Sequence, residues 1–132
     1  MRQLGLEKRV RFLGAWEDMA DLLPLADIYL QPSEHESFGL AALEAMSAGV
    51  PVMITNVGGP GEFVRHGENG FLLDPEDLGA WVDCADKLLA DSEYRDRIRA
   101  TARATAVDDF DRNAVTNSYE SLFQEIVVKS GD

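Results

Sequence analysis

Apolar residues alternate along the chain between short continuous runs and longer stretches with helical spacing. The continuous runs are rich in β-formers and lie at residues 10–14, 27–32, 51–55 and 69–73. Apolar runs of this length, ended by Gly or Pro, are typical of strands buried in a parallel sheet. The pattern therefore predicts about four short strands.

Helical spacing fills most of the chain between and after these runs. It occurs over residues 17–26, where Pro24 predicts a short or kinked helix. It occurs again over residues 38–48, which Gly49 ends in the manner of a C-cap.

The last part of the chain is predicted to be helical throughout. Asp74 is the expected N-cap of its first helix, with Pro75 at the first helical position, and further helices follow to residue 128. Strand–helix alternation that ends in helices predicts an α/β fold. We expect a Rossmann-like parallel sheet with helices on both faces and helices at its C-terminal end.

The chain is short for a complete doubly wound sheet. A length of 132 residues fits one domain with a core of its own. Residues 2–8 look like the end of a helix leading into a strand, without the earlier strands of such a sheet. We therefore expect residues 1–132 to be a single partial domain, truncated at its N-terminal side. Its exposed sheet edge also offers a route to self-association.

The charge balance narrows the possible ligands. The chain has 24 Asp+Glu against 12 Lys+Arg, a net charge of −12, whereas nucleic-acid binding needs a basic surface. We therefore exclude a nucleic-acid partner, and expect any anionic ligand to be held by backbone N–H groups or a few placed cations. A single cysteine, Cys84, rules out an internal disulfide. No signal-like or membrane-length apolar run occurs, so we expect a cytoplasmic protein.

The loop after the second predicted strand has the features of an anion site. In parallel α/β sheets, ligands bind at the carboxyl ends of strands, beside helix N-termini. Ser37 is the expected N-cap of the next helix. The backbone N–H groups of Phe38, Gly39 and Leu40 would then face a phosphate, which glycine allows to approach closely. Glu36 precedes the helix, where it could accept hydrogen bonds from sugar hydroxyls.

A second carboxylate, Glu44, lies in the otherwise apolar segment 40–46. A carboxylate among such neighbours needs a partner, and the vicinal diol of a ribose offers two O–H donors. The spacing alone favours a plainer interpretation, in which Glu44 is solvated and Glu36 only favours the helix dipole. The residues that flank Glu36 and Glu44 decide between ligand binding and this plainer interpretation.

A resemblance to the retaining family-four glycosyltransferases of the GT-B fold is carried by the segment Ser33-Glu-His-Glu-Ser-Phe-Gly-Leu-Ala-Ala-Leu-Glu-Ala-Met-Ser-Ala-Gly-Val-Pro-Val52. The family's strand beneath the nucleobase is similar to Val10-Arg-Phe-Leu-Gly14. Its Gly-Gly-Ile-Pro-Glu turn is similar to Val57-Gly-Gly-Pro-Gly-Glu62, and the segment that follows is similar to His66-Gly-Glu-Asn-Gly-Phe-Leu72. The resemblance covers nearly the whole chain and implies the C-terminal, nucleotide-sugar-binding half of such an enzyme.

The resemblance also implies roles for the candidate site residues. Glu36, the catalytic candidate, would contact the donor sugar, and Glu44 would contact the ribose. The backbone of the following loop would hold the sugar and diphosphate, and three earlier residues would bind the nucleobase. The loop residues are Ser37, Phe38, Gly39 and Leu40. The residues for the nucleobase are Phe12, Leu13 and Gly14. The implied donor substrate is a UDP-sugar, with no cofactor and no metal.

The implied reaction is transfer of a hexosyl unit with retention, to an acceptor bound by an absent N-terminal domain. This part alone should then be inactive. The segment is most similar to the branch that transfers N-acetylglucosamine from UDP to malate in the bacillithiol pathway. The alternative, from a different class, is a non-catalytic α/β domain that keeps the fold for binding or oligomerisation.

Some expected features are missing or misplaced. The family's diphosphate-binding Arg and Lys have no match in Lys8, Arg9 or Arg11, and the order Pro60-Gly61 departs from Ile-Pro. Asp109-Phe-Asp111 spells a metal-binding Asp-x-Asp, but it falls between two predicted helices, so we expect an exposed helix boundary. No Gly-x-Gly-x-x-Gly follows a first strand, which disfavours a dinucleotide-binding module.

Overall fold

The computed structural model describes residues 4–129, and the side chains of residues 112, 114, 128 and 129 are not part of that description. Its helices and strands in chain order are α1 (Met19–Leu22), β1 (Tyr29–Gln31), α2 (Leu40–Ser47), β2 (Val52–Thr55), β3 (Phe71–Leu73), α3 (Leu78–Ala90), α4 (Ser92–Phe110) and α5 (Arg112–Lys129). Two short 3-10 helices lie at Leu23–Leu25 and Gly59–Glu62.

The strands form one parallel sheet in the order β1-β2-β3. β2 is central, and its Met53 pairs with Leu30 on one side and with Phe71 on the other. Every residue of β2 is buried, as a continuous apolar run predicts for a central parallel strand. The predicted parallel α/β architecture is confirmed.

The side chains of β2 contribute to two cores, because successive residues of a strand point to opposite faces. Val52 and Ile54 belong to a core shared with α2 and α4. Met53 belongs to a second core, with Leu88 of α3 and Ile98 of α4. Helices thus pack on both faces of the sheet, as expected of a Rossmann-like fold.

The predicted strand over residues 10–14 is wrong. Val10, Phe12 and Leu13 are exposed instead, and Phe12 is 83% accessible. A strand is stable only when its backbone N–H and C=O groups pair with a neighbour. No strand in the described part of the chain pairs with these residues.

The start of α3 also differs from its prediction. The helix begins at Leu78 because Asp77 is its N-cap, with Oδ1 accepting from the N–H of Ala80 at 3.0 Å. Asp74 forms a local turn instead, in which its Oδ1 accepts from the N–H of Glu76 at 2.9 Å. The end of α2 is as predicted, since Gly49 follows it with a φ of 73°.

A buried asparagine links α4 to the loop before β3 by hydrogen bonds. Asn69 Nδ2 donates to the carbonyl oxygen of Phe63 at 2.9 Å and to Thr105 Oγ1 of α4 at 3.0 Å. Its Oδ1 accepts from the N–H of Arg65 at 2.6 Å. Asn69 is fully buried, so these hydrogen bonds replace the water that its amide has lost.

Candidate functional site

Two loops meet at the carboxyl ends of β1 and β2. Because the strands are parallel, the loops that leave them, residues 32–39 and 56–58, lie at the same edge of the sheet. Thr55 Oγ1 donates to the carbonyl oxygen of Ser33 at 2.8 Å. The N–H of Gly59 donates to the carbonyl oxygen of Ser37 at 3.1 Å. These two hydrogen bonds join the loops.

Gly58 and Gly59 allow the two backbones to touch. Gly58 has a φ of 74°, and a Cβ there would lie 1.7 Å from the carbonyl oxygen of Glu36. A Cβ on Gly59 would lie 2.3 Å from the carbonyl oxygen of Ser37. No side chain fits at either position, so the glycine pair fixes the course of the loop that carries Glu36.

A cavity of about 560 Å³ opens where the loops meet, lined by His35, Glu36, Ser37, Val57 and Gly58. Glu36 is half-buried there, and Ser37 is exposed. The structure therefore brings two of the predicted site residues to one cavity. A carboxylate in this position can accept hydrogen bonds from the hydroxyls of a bound sugar.

Sequence reasoning missed two residues that reach Glu36 from β1. Gln31 Nε2 donates to Glu36 Oε2, and the Tyr29 hydroxyl donates to Gln31 Oε1 at 3.0 Å. Burial first, and then the charges of Glu36 and Glu44, raise the pKa of Tyr29 above 10.0, so the phenol stays protonated at neutral pH. The available signal is the two-residue spacing of Tyr29 and Gln31, which places both on one face of the strand.

Helix α2 begins later than predicted, and Ser37 does not cap it. The N-cap is Gly39, with a φ of 97°, and it makes no side-chain capping hydrogen bond. The prediction for Ser37 was wrong because the helix starts at Leu40, and a capping side chain must directly precede the first turn. The first N–H groups of such a helix have no intrahelical partners and can bind an anion.

Phe38 and Gly39 are packed against the core. A Cβ on Gly39 would lie 3.2 Å from the Phe63 ring and 3.3 Å from the Ile54 side chain. The Phe38 ring lies 5.3 Å from that of Phe63 and 6.1 Å from that of Phe110, between centroids. Both residues therefore anchor the loop, and the contact of their backbone with a phosphate stays a prediction.

Glu44 lies at a different cavity from Glu36. It is exposed, so the argument from a carboxylate among apolar neighbours was wrong. The cavity measures about 620 Å³ and includes one cation, Arg103, which sequence reasoning missed. Its other lining residues are Glu17, Met19, Ala20, Leu23, Pro24, Ser47 and Ala48.

The three candidates for the nucleobase line neither of these cavities. Leu13 lines a third, apolar cavity of about 330 Å³, which shares Met19 and Leu23 with the cavity at Glu44. Phe12 is exposed, and Gly14 has a φ of 72° with open space around it. Contact of these residues with a nucleobase stays a prediction.

Within residues 4–129, no three His, Cys, Asp or Glu side chains converge as ligands for a metal ion. Asp109 and Asp111 are exposed at the boundary of α4 and α5, as predicted, and Asp111 Oδ2 accepts from the N–H of Asn113 at 2.9 Å. None of the helices in this range combines the length and hydropathy that a transmembrane segment needs.

A parallel sheet covered on both faces, with a glycine-rich turn and a helix N-terminus at the carboxyl ends of its strands, defines a Rossmann-like class of domain. Residues 1–105 match the family described as glycosyl transferases group 1. The chain belongs to this family, and the predicted resemblance is confirmed.

Two curated relatives illustrate the match. The chain is 37% identical over 127 residues to the N-acetyl-alpha-D-glucosaminyl L-malate synthase of Bacillus anthracis, covering 96% of this chain and 33% of the relative. It is 35% identical over 119 residues to the lipopolysaccharide core biosynthesis glycosyltransferase LpsE of Rhizobium meliloti, covering 90% and 35%. The chain thus spans about a third of the length of these relatives.

Solved structures share the fold. HepE of Anabaena in complex with UDP superposes with a TM-score of 0.89 at 32% identity, covering 94% of this chain and 34% of that one. The same protein in complex with UDP-glucose superposes with a TM-score of 0.86 at the same identity and coverage. The GT-B assignment is thereby confirmed.

Proposed function

We propose that this chain binds the donor of a glycosyltransferase that transfers a hexosyl unit from a UDP-sugar with retention of configuration. The observation that carries the proposal is that Glu36 lines the cavity between the two loops, on a backbone that Gly58 holds in place. HepE, at 32% identity, was crystallised with UDP and with UDP-glucose. Both observations support a uridine nucleotide sugar as the ligand.

Each part of the site has a role in this proposal. Glu36 accepts hydrogen bonds from the donor sugar, Glu44 binds the ribose diol, and residues 12–14 contact the base. The backbone N–H groups of residues 37–40, at the positive end of the α2 dipole, bind the diphosphate. Such local donors are needed because the net charge of −12 repels an anion. Preorganised donors also stabilise the diphosphate as it leaves.

We infer N-acetylglucosamine as the sugar, on the basis of the 37% identity to the Bacillus anthracis synthase. Since the chain spans about a third of such relatives, acceptor binding and turnover are assigned to the rest of the enzyme. The anomeric configuration of the product, read by NMR with the whole enzyme, tests retention. An inverted product would refute that part of the proposal.

Calorimetric titration of the chain with UDP, UDP-N-acetylglucosamine, UDP-glucose and GDP- and ADP-sugars tests donor binding. Glu36→Gln should weaken UDP-sugar binding about tenfold and leave UDP binding unchanged, because only the sugar loses a charged hydrogen-bond partner. Glu44→Gln should weaken both ligands alike. Glu34→Gln, an exposed glutamate of the same loop, is the matched control.

Two outcomes would contradict the proposal. Unchanged binding in both the Glu36 and the Glu44 variants would remove the two carboxylates from the donor site. Absence of binding to every nucleotide sugar would favour the alternative, a non-catalytic domain of the same fold.

A further inference from the structure

β1 reaches the Glu36 carboxylate through two side chains on one face of the strand. Tyr29 and Gln31 are both half-buried, and their hydrogen bonds run in sequence from Tyr29 to Gln31 and from Gln31 to Glu36. An ionised carboxylate only accepts, so the nitrogen of the Gln31 amide must face Glu36. The amide oxygen then receives the Tyr29 hydroxyl at 3.0 Å. The direction of this relay, Tyr29–Gln31–Glu36, is therefore fixed.

The relay gives the two oxygens of Glu36 different roles. Gln31 engages Oε2, which leaves Oε1 for a hydroxyl in the cavity lined also by His35 and Val57. A free glutamate side chain loses rotamer entropy when it binds a ligand, and a donor that holds it beforehand reduces that loss.

β1 holds the Gln31 donor in a fixed position because the strand is part of the sheet. Its residues pair in parallel with β2, with Tyr29 opposite Val52 and Gln31 opposite Ile54. Tyr29 also packs against the core that contains both of those β2 residues. The orientation of Glu36 is thus tied to the buried sheet as well as to its own loop.

We propose that Tyr29 and Gln31 are positioning residues that orient Glu36 toward the donor sugar, so that the affinity for the sugar is set partly from β1. The inference rests on the proposed function, since it takes Glu36 as the residue that contacts the sugar. Neither residue lines the cavity at Glu36, so both act on the sugar through Glu36. Tyr29 lines the apolar cavity at Leu13 instead.

The test measures the sugar gain, defined as the ratio of the Kd of UDP to the Kd of UDP-N-acetylglucosamine or UDP-glucose, whichever binds more tightly. Gln31→Leu should lower the sugar gain about tenfold and Tyr29→Phe about threefold, with the Kd of UDP unchanged. Tyr94→Phe removes a hydroxyl from another half-buried tyrosine, beside Phe71, and should leave the ratio unchanged.

The same changes in a Glu36→Ala background separate positioning from general support. Gln31→Leu should then have no further effect, because the relay acts only through the side chain of residue 36, and alanine leaves Gln31 no acceptor there. Equal weakening of UDP and UDP-sugar binding by Gln31→Leu would indicate a structural role and overturn the inference. An unchanged sugar gain in both relay variants, where Glu36→Gln lowers it, would overturn it as well. If Glu36→Gln leaves the sugar gain unchanged, the proposed function itself fails, and the positioning role fails with it.

Discussion

Gly58 shapes the candidate site without a side chain. Its φ of 74° and the 1.7 Å between a Cβ and the Glu36 carbonyl oxygen mean that Gly58→Ala must displace backbone. We expect the free energy of unfolding, from urea denaturation, to fall by about 2–3 kcal/mol. The sugar gain should also be lost. Gly61→Ala, in the same turn and with open space at its Cβ, is the control, and equal stability of the two variants would contradict the argument.

At the same scale, the sequence allowed the place of some candidate site residues to be predicted and not that of others. Glu36 was predicted to lie at the carboxyl end of the sheet because it follows a strand in the order of elements, and its contact with a ligand stays a prediction. Tyr29 and Gln31 were missed because spacing gives the face of a strand but not the side chain that it meets. Ser37 was misassigned because the true N-cap depends on the left-handed turn at Gly39, which no pattern of polar residues indicates.

At the scale of elements, Asn69 joins the loop before β3 to α4. Asn69→Ala leaves the buried Phe63 carbonyl oxygen and the part-buried Arg65 N–H without this partner. We expect the free energy of unfolding to fall by about 2–4 kcal/mol, measured by urea denaturation. Asn56→Ala, at an exposed asparagine, should cost less than about 0.5 kcal/mol. A loss of the same size in both variants would argue against a special role for the buried amide.

The elements themselves were predictable to the extent that local sequence determines them. The apolar run 51–55 predicted β2 correctly, because a central strand is buried on both faces. The similar run 10–14 forms no strand, because pairing depends on a neighbour elsewhere in the chain. Asp74 and Asp77 are equally good caps by composition, and the structure uses Asp77.

At the scale of the whole molecule, the net charge of −12 is little neutralised. Among the described side chains, a single ion pair occurs, between Arg65 and Glu68 at 3.4 Å, and both partners are largely exposed. Screening of the remaining repulsion should stabilise the fold, so raising KCl from about 0.02 to 0.2 M should raise the thermal unfolding midpoint by about 2–4 °C. Sucrose at matched osmolality is the control, and a flat or falling midpoint in KCl would contradict this expectation.

The contact of Gly58 with the Glu36 carbonyl oxygen also bears on how such domains are inherited. The backbone at Gly58 leaves no space for the backbone at Glu36 to move toward it, so an insertion or deletion in residues 32–39 cannot be accommodated by that loop alone. Residues 56–58 would have to change with it. A chimaera of two relatives should therefore keep both loops from the same parent, and crossovers between them should be selected against.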